Sequence, residues 1–229
     1  MIKLTGMNKR YGKKVILDEV NLDIPRGEII GLLAPNAMGK STMLKIIGGQ
    51  ICYDSGTYEF EGHQFIPSDK AQIGYLNEAN TLPLSWKVSD AIAYYARYFK
   101  TFNASKCEEM LAYFKVELSD KIKVLSKGQN EKLQLALALS IEGALYILDE
   151  PLAAVDLMTR EDIIKMILNN FDLNTTIIIS SHLVRDIENI LDRVWFLKDG
   201  KIIENILVED LRAQGHSVTS RYREVFKDA

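Results

Sequence analysis

Apolar and polar positions change rhythm along this chain, and the changes divide it into elements. Residues 2–9 and 13–24 read as two strands joined at Tyr11-Gly12, and Asp23-Ile24-Pro25-Arg26-Gly27 turns out of the second. Ile29–Leu33 is a continuous apolar run, short and β-branched enough for a buried strand. Residues 41–47 carry apolar side chains at helical spacing, and Gly48-Gly49 ends that helix. Asp54-Ser55-Gly56 turns into a strand over 57–61, Gly62-His63 makes another turn, and 72–76 is a further short strand.

From about residue 84 to 139 the pattern becomes helical. Ser89-Asp90 is placed to cap a helix running to about Phe102, and Ser105 with Glu108 has the form of a capping box for the next. Tyr94, Tyr95, Tyr98, Phe99 and Phe102 share one broad face of the first helix, which either packs a small helical subdomain or receives a partner. At Leu125-Ser126-Lys127-Gly128-Gln129 a glycine-containing turn precedes a helix over 131–141. Ala144 to Leu148 is apolar, ends in Asp149-Glu150-Pro151 and reads as a buried strand. Helices over 156–171 and 183–191 flank a β-branched strand over 175–180 that delivers Ser181-His182. Arg193–Lys198 and 201–206 form a hairpin about Asp199-Gly200, and 207–229 is a short polar helical tail that offers no chemistry.

Composition narrows the class. The 229 residues suffice for one sizeable α/β domain, or a core with a smaller inserted one. With 47% hydrophobic and 26% charged residues the balance is that of an ordinary globular protein, and a net charge of −3 gives no nucleic-acid footprint. No apolar run is long enough to span a membrane, and the N-terminal MIKLTGMNKRYGKK is no signal peptide, so a cytosolic protein is expected, with any membrane role exercised through a partner. Cys52 and Cys107 lack metal spacing and read as reduced thiols, and His63, His182 and His216 are too scattered to suggest a metal site.

The chemistry lies where the elements meet. Ala34-Pro35-Asn36-Ala37-Met38-Gly39-Lys40-Ser41 joins a strand to a helix and ends in Gly-Lys-Ser, the context of a phosphate-binding P-loop. Inward N–H groups and the helix dipole favour a polyphosphate there, with Lys40 reaching the β- and γ-phosphates and the Ser41 hydroxyl binding Mg²⁺. Ala34 and Ala37 stand where glycine is usual, and alanine tolerates a positive φ poorly if the position needs one. Asp149 and Glu150 end a buried strand at the edge where open α/β sheets bind ligands. Asp149 can hold a Mg²⁺-coordinated water, and Glu150, one residue on, is free to polarise an attacking water. The plainer readings are an ordinary strand–helix junction and a solvated acidic strand end, and the pairing of the two features disfavours both. Ser126 and Gly128 at a helix start are either a second anion site or a simple N-cap.

In this order the motifs resemble those of the ATP-binding subunit of an ABC transporter, across nearly the whole chain. Tyr11 matches the aromatic that stacks on adenine, and residues 34–42, including Asn36, Ala37, Met38, Gly39, Lys40, Ser41 and Thr42, the Walker A loop. Glu78 falls at the Q-loop position, Ser126, Lys127, Gly128 and Gln129 lie in the signature, Asp149 and Glu150 close Walker B, Asp156 falls at the D-loop and His182 at the switch histidine. The resemblance implies a single domain over 1–229. Its fold would be a P-loop NTPase core with a mixed sheet, an N-terminal antiparallel β subdomain and an α-helical subdomain inserted at about 84–139. It implies an ATPase in which Ser41, Glu78 and Asp149 hold Mg²⁺, Lys40 neutralises phosphate, Glu150 deprotonates water and His182 steadies the γ-phosphate. The expected partners are separately encoded transmembrane permease subunits and a second ATP-binding subunit, head to tail, at the cytoplasmic face of the membrane.

Departures from the family pattern qualify this. Glu78 replaces the usual glutamine, and a carboxylate also binds Mg²⁺. Lys127 replaces a signature glycine and would point across the dimer towards the partner's γ-phosphate, adding charge or blocking close backbone approach. The brevity of the chain resembles exporter subunits more than sugar importers. The competing reading is a nucleotide-gated regulatory or sensing subunit with little turnover; an ABC-type translation or DNA-maintenance ATPase would carry tandem domains or long arms, which this chain lacks.

Overall fold

The computed structural model describes residues 1–78, 82–153 and 155–227. Two long strands, β1 (Ile2–Tyr11) and β2 (Lys14–Ile24), pair antiparallel, and β4 (Ser55–Phe60) and the short β5 (His63–Gln64) extend them into a sheet ordered β2-β1-β4-β5. Alternation drives this sheet: Ile2 and Leu4 are buried while Lys3 and Thr5 face solvent. Between β2 and β4 the chain inserts β3 (Ile29–Leu33) and helix α1 (Lys40–Ile47). β3 belongs to a second sheet with β6 (Ile73–Leu76), β7 (Leu145–Asp149), β8 (Thr176–Ser181), β9 (Arg193–Lys198) and β10 (Lys201–Leu207), in the order β10-β9-β3-β8-β7-β6. All its neighbours are parallel except the β9–β10 hairpin. Every residue of β3, β7 and β8 is buried, as continuous apolar strands covered on both faces must be. Register sets Asp149 opposite Ser180, and Leu33 opposite Ser181, so the C-terminal tips of the three strands converge.

The helical region has its own core. Helices α2 (Val88–Tyr98), α3 (Ala104–Tyr113) and α4 (Lys127–Leu139) gather Val88, Ile92, Cys107, Leu111, Leu133 and Leu137 into a second apolar cluster. α4 serves both cores, because Leu135, Ala138 and Leu139 face the main one. Then come α5 (Leu157–Asn169), the short α6 (Val184–Ile187), α7 (Val208–Ala213) and α8 (Val218–Val225). The last two residues of the expected tail lie outside the described residues.

Helix starts differ from the sequence reading for capping reasons. Ser89 and Asp90 lie inside α2, where the Asp90 carboxylate reaches back 2.8 Å to the N–H of Lys87. α3 is capped by Asn103, whose side-chain oxygen accepts from the N–H of Lys106, and not by Ser105. α2 ends at Tyr98, so the five aromatics do not share one helix: Tyr94 and Tyr98 are exposed, whereas Tyr95 turns inward and packs on Phe102. The helix expected over 131–141 already begins at Lys127, and that expected over 183–191 keeps only four residues.

Candidate functional site

The P-loop wraps the tip of β3 and feeds α1. Gly39, the N-cap of α1, has φ +99°, and no side chain caps the helix, which leaves first-turn N–H groups for a ligand. The positive φ favours glycine here, and a Cβ would also crowd the Ile16 side chain of β2 at 3.1 Å. The two alanines differ. Ala37 is exposed at φ +64°, a position glycine would fill without strain, whereas Ala34 is fully buried and not left-handed. Lys40 is 5% exposed and folds over the loop, donating to the carbonyls of Ala34 at 2.8 Å and Pro35 at 3.3 Å.

The acidic strand tip meets that lysine. The Nζ of Lys40 lies 3.3 Å from Oε1 of Glu150, a charge contact at an oxygen that has no hydrogen-bond partner among the described residues. Oε2 of Glu150 lies 2.8 Å from Nδ1 of His182 and accepts from the His182 N–H at 3.3 Å. Glu150 is therefore not free, as its place after Walker B suggested. It is a buried carboxylate between a lysine and a histidine, in a left-handed backbone at φ +52°. Its own N–H donates to the carbonyl and hydroxyl of Ser180, and that hydroxyl donates to Oδ1 of Asp149 at 2.6 Å. Ser180 thus ties both acids together, a role the sequence reading missed; its signal is a polar residue ending an otherwise apolar strand.

A cavity of about 410 Å³ is lined by Asn36, Ala37, Gly39, Lys40, Ser41, Thr42, Glu78 and Glu150, with Ile16 as an unforeseen wall. Asp149 is buried and is not among the residues that line it. Tyr11 is exposed at the end of β1, with the Lys9 ammonium 5.4 Å from its ring centroid, and Met38 is half-buried in the loop. Burial, and then the charge of Asp149, push the Tyr75 phenol up, and its buried hydroxyl has no hydrogen-bond partner among the described residues.

The remaining predicted residues form a second group outside this cavity. Ser126 caps α4 by accepting from the N–H of Gln129, whose side chain accepts from the N–H of Ser126 in return, so the plain capping role is present. Lys127 is exposed in the first turn. Gly128 abuts α5, where a Cβ would come within 2.9 Å of the Thr159 hydroxyl oxygen. Asp156 caps α5, and the N–H and hydroxyl of Thr159 hold its carboxyl below the usual range. The signature and D-loop residues are thus neighbours of each other and line no part of the P-loop cavity.

Comparison with known proteins places this arrangement among relatives. The sequence profile of the ABC transporter family matches residues 17–153. A lantibiotic transport ATP-binding protein of Streptococcus pyogenes is 32% identical over 207 residues, covering 89% of each chain. The Nod factor export ATP-binding protein I of Sinorhizobium fredii is 31% identical over 214 residues, 89% of this chain and 62% of that one. Among solved structures, a dimeric ATP-binding cassette in a post-hydrolysis state with ADP and Pi superposes at a TM-score of 0.80. It has 23% identity and covers 90% of this chain and 98% of that one, a likeness of fold.

Proposed function

Because this chain belongs to the ABC transporter family as an ATP-binding, ATP-hydrolysing subunit, we propose that it powers export by separate membrane subunits from the cytoplasmic face of the membrane. The observation that carries the reading is the Lys40–Glu150–His182 contact at the mouth of the P-loop cavity. With a nucleotide in that cavity, the Lys40 ammonium exchanges its carbonyl partners for the β- and γ-phosphates. Glu150, released on that side, takes the proton of the attacking water, and His182 steadies the γ-phosphate. Tyr11 stacks on the adenine. The donors fit Mg²⁺: the Ser41 hydroxyl and the Glu78 carboxylate are hard oxygens lining the cavity, and Asp149 is buried at the tip of β7. Bound there, the ion would neutralise phosphate charge.

The separation of the two groups supports a head-to-tail pair of subunits. Ser126, Lys127, Gly128, Gln129 and Asp156 lie outside the cavity, so one chain does not complete the site, and the signature of a second copy or a paralogue would close it. The export direction rests on the relatives named for lantibiotic transport and Nod factor export. The exposed Tyr94 and Tyr98 on α2 suit contact with a membrane subunit.

Lys40→Ala tests the P-loop assignment. ATPase activity of the purified chain should be abolished, with a melting curve run alongside because Glu150 loses an ion-pair partner. Activity within a few-fold of the parent would remove Lys40 from the mechanism.

A further inference from the structure

The tail that looked chemically silent reaches the switch histidine. α6, which follows His182 directly, has only four residues. Helices this short do not hold themselves, since isolated ones are marginal below about 12–15 residues. Its position therefore depends on tertiary contacts: Val184 and Ile187 are buried in the main core, and polar ties hold it on two sides. On one side Arg160 of α5 donates to Asp186 at 2.7 Å and to the carbonyl of Val155 at 3.2 Å. On the other, Glu188, the C-cap of α6, accepts from both the N–H and the hydroxyl of Thr219 at 3.0 Å each, at the start of α8.

α8 is itself fixed to the main sheet. Tyr222 and Phe226 pack on each other and on Phe196 of β9, with ring centroids 4.8 to 6.5 Å apart. Lys198 of β9 donates to the carbonyl of Val225 at 3.0 Å, and Arg221 pairs with Glu204 of β10. Tyr222 and Thr219 share a cavity of about 340 Å³ with His182. Burial, and then the charge of Glu150, push the Tyr222 phenol up.

We propose that α8 is a positioning element of the ATPase site. The Glu188–Thr219 tie holds α6 against α8, which is anchored on β9 and β10, and so fixes where His182 meets Glu150. This rests on the roles given above to Glu150 and His182. Neither Glu188 nor Thr219 lines the P-loop cavity, so loosening the tie should slow turnover and spare ATP binding.

The test is steady-state ATPase kinetics on the full chain. Glu188→Ala should lower kcat about tenfold, the scale of a small misplacement of a reacting group, with KM for ATP within about twofold. Glu188→Gln keeps an oxygen that accepts both bonds and should restore kcat to within about twofold. Parental kcat in Glu188→Ala would overturn the proposal, as would equal losses in the alanine and glutamine variants, or a KM that rises in step with the fall in kcat. If Glu188→Ala does not fold, Thr219→Val removes only the hydroxyl bond. A severalfold loss of kcat at unchanged KM then supports the proposal, and parental kcat overturns it. Glu150→Gln in the same assay separates the premises: parental turnover there removes the role of Glu150 and the inference with it, whereas loss there with parental turnover in Glu188→Ala removes the positioning role alone.

Discussion

The two alanines of the P-loop should respond in opposite directions to glycine, although both replace glycines in the family pattern. Ala37 is exposed at φ +64°, where an L side chain costs about 1–2 kcal/mol. Glycine removes that strain, and its greater freedom in the unfolded chain returns about 0.4–1 kcal/mol. An exposed methyl takes no packing with it. Ala37→Gly should therefore stabilise the protein by about 0.5–1 kcal/mol, or about 2 °C in Tm for a chain of this size. Ala34 is buried at 0% exposure and outside the left-handed region. Its methyl contributes about 0.8 kcal/mol of burial. The unfolded-state effect adds to that loss, so Ala34→Gly should destabilise by about 1.5 kcal/mol. Urea denaturation of the nucleotide-free protein measures both as shifts of midpoint at constant slope. Two shifts of the same sign would refute the reasoning, because they would mean that backbone conformation does not distinguish the two positions.

Two further outcomes follow from buried groups. Tyr75→Phe deletes a buried hydroxyl without a hydrogen-bond partner among the described residues, so stability should hold or rise by up to about 1 kcal/mol in the same denaturation assay; a loss above about 1 kcal/mol would mean that the hydroxyl is paired. Burial pushes the Cys107 thiol up to about 12, so at pH 8 it is protonated as well as inaccessible, whereas Cys52 is exposed. A thiol reagent should modify Cys52 alone until the protein is denatured, and equal labelling of both in the native state would contradict the burial of α3.

Strands were the most legible part of this chain, because Ile29–Leu33 and Leu145–Asp149 are continuous apolar runs bounded by turn and acidic residues. Helix starts were less so, since several side chains compete for the cap. Ser105 looked like the cap of α3, but Asn103 lies two residues nearer the point where the chain leaves extended conformation and takes the role. At Ser126 the glycine suggested a turn, yet Gly128 sits inside the first helical turn because α5 leaves no room for a Cβ there. The site residues could be located by motif, but their engagement with one another could not. Nothing in the spacing of Lys40, Glu150 and His182 indicates that one carboxylate contacts both the lysine and the histidine. Ser180, Glu188 and Thr219 carry no motif, and only the fold brings them to the site.

The most direct test of the account is Glu150→Gln. The amide keeps the shape of the side chain but cannot take a proton from water. A positioned general base contributes about 10²–10⁴-fold, so hydrolysis should fall by that order. Nucleotide binding should persist, because Lys40, Ser41 and the α1 N-terminus remain. Light scattering with Mg-ATP should then show accumulated dimers, and with ADP monomers, if closure needs ATP and opening needs hydrolysis. Hydrolysis at near-parental rate in this variant would contradict the assignment of Glu150 as the base on which the account turns.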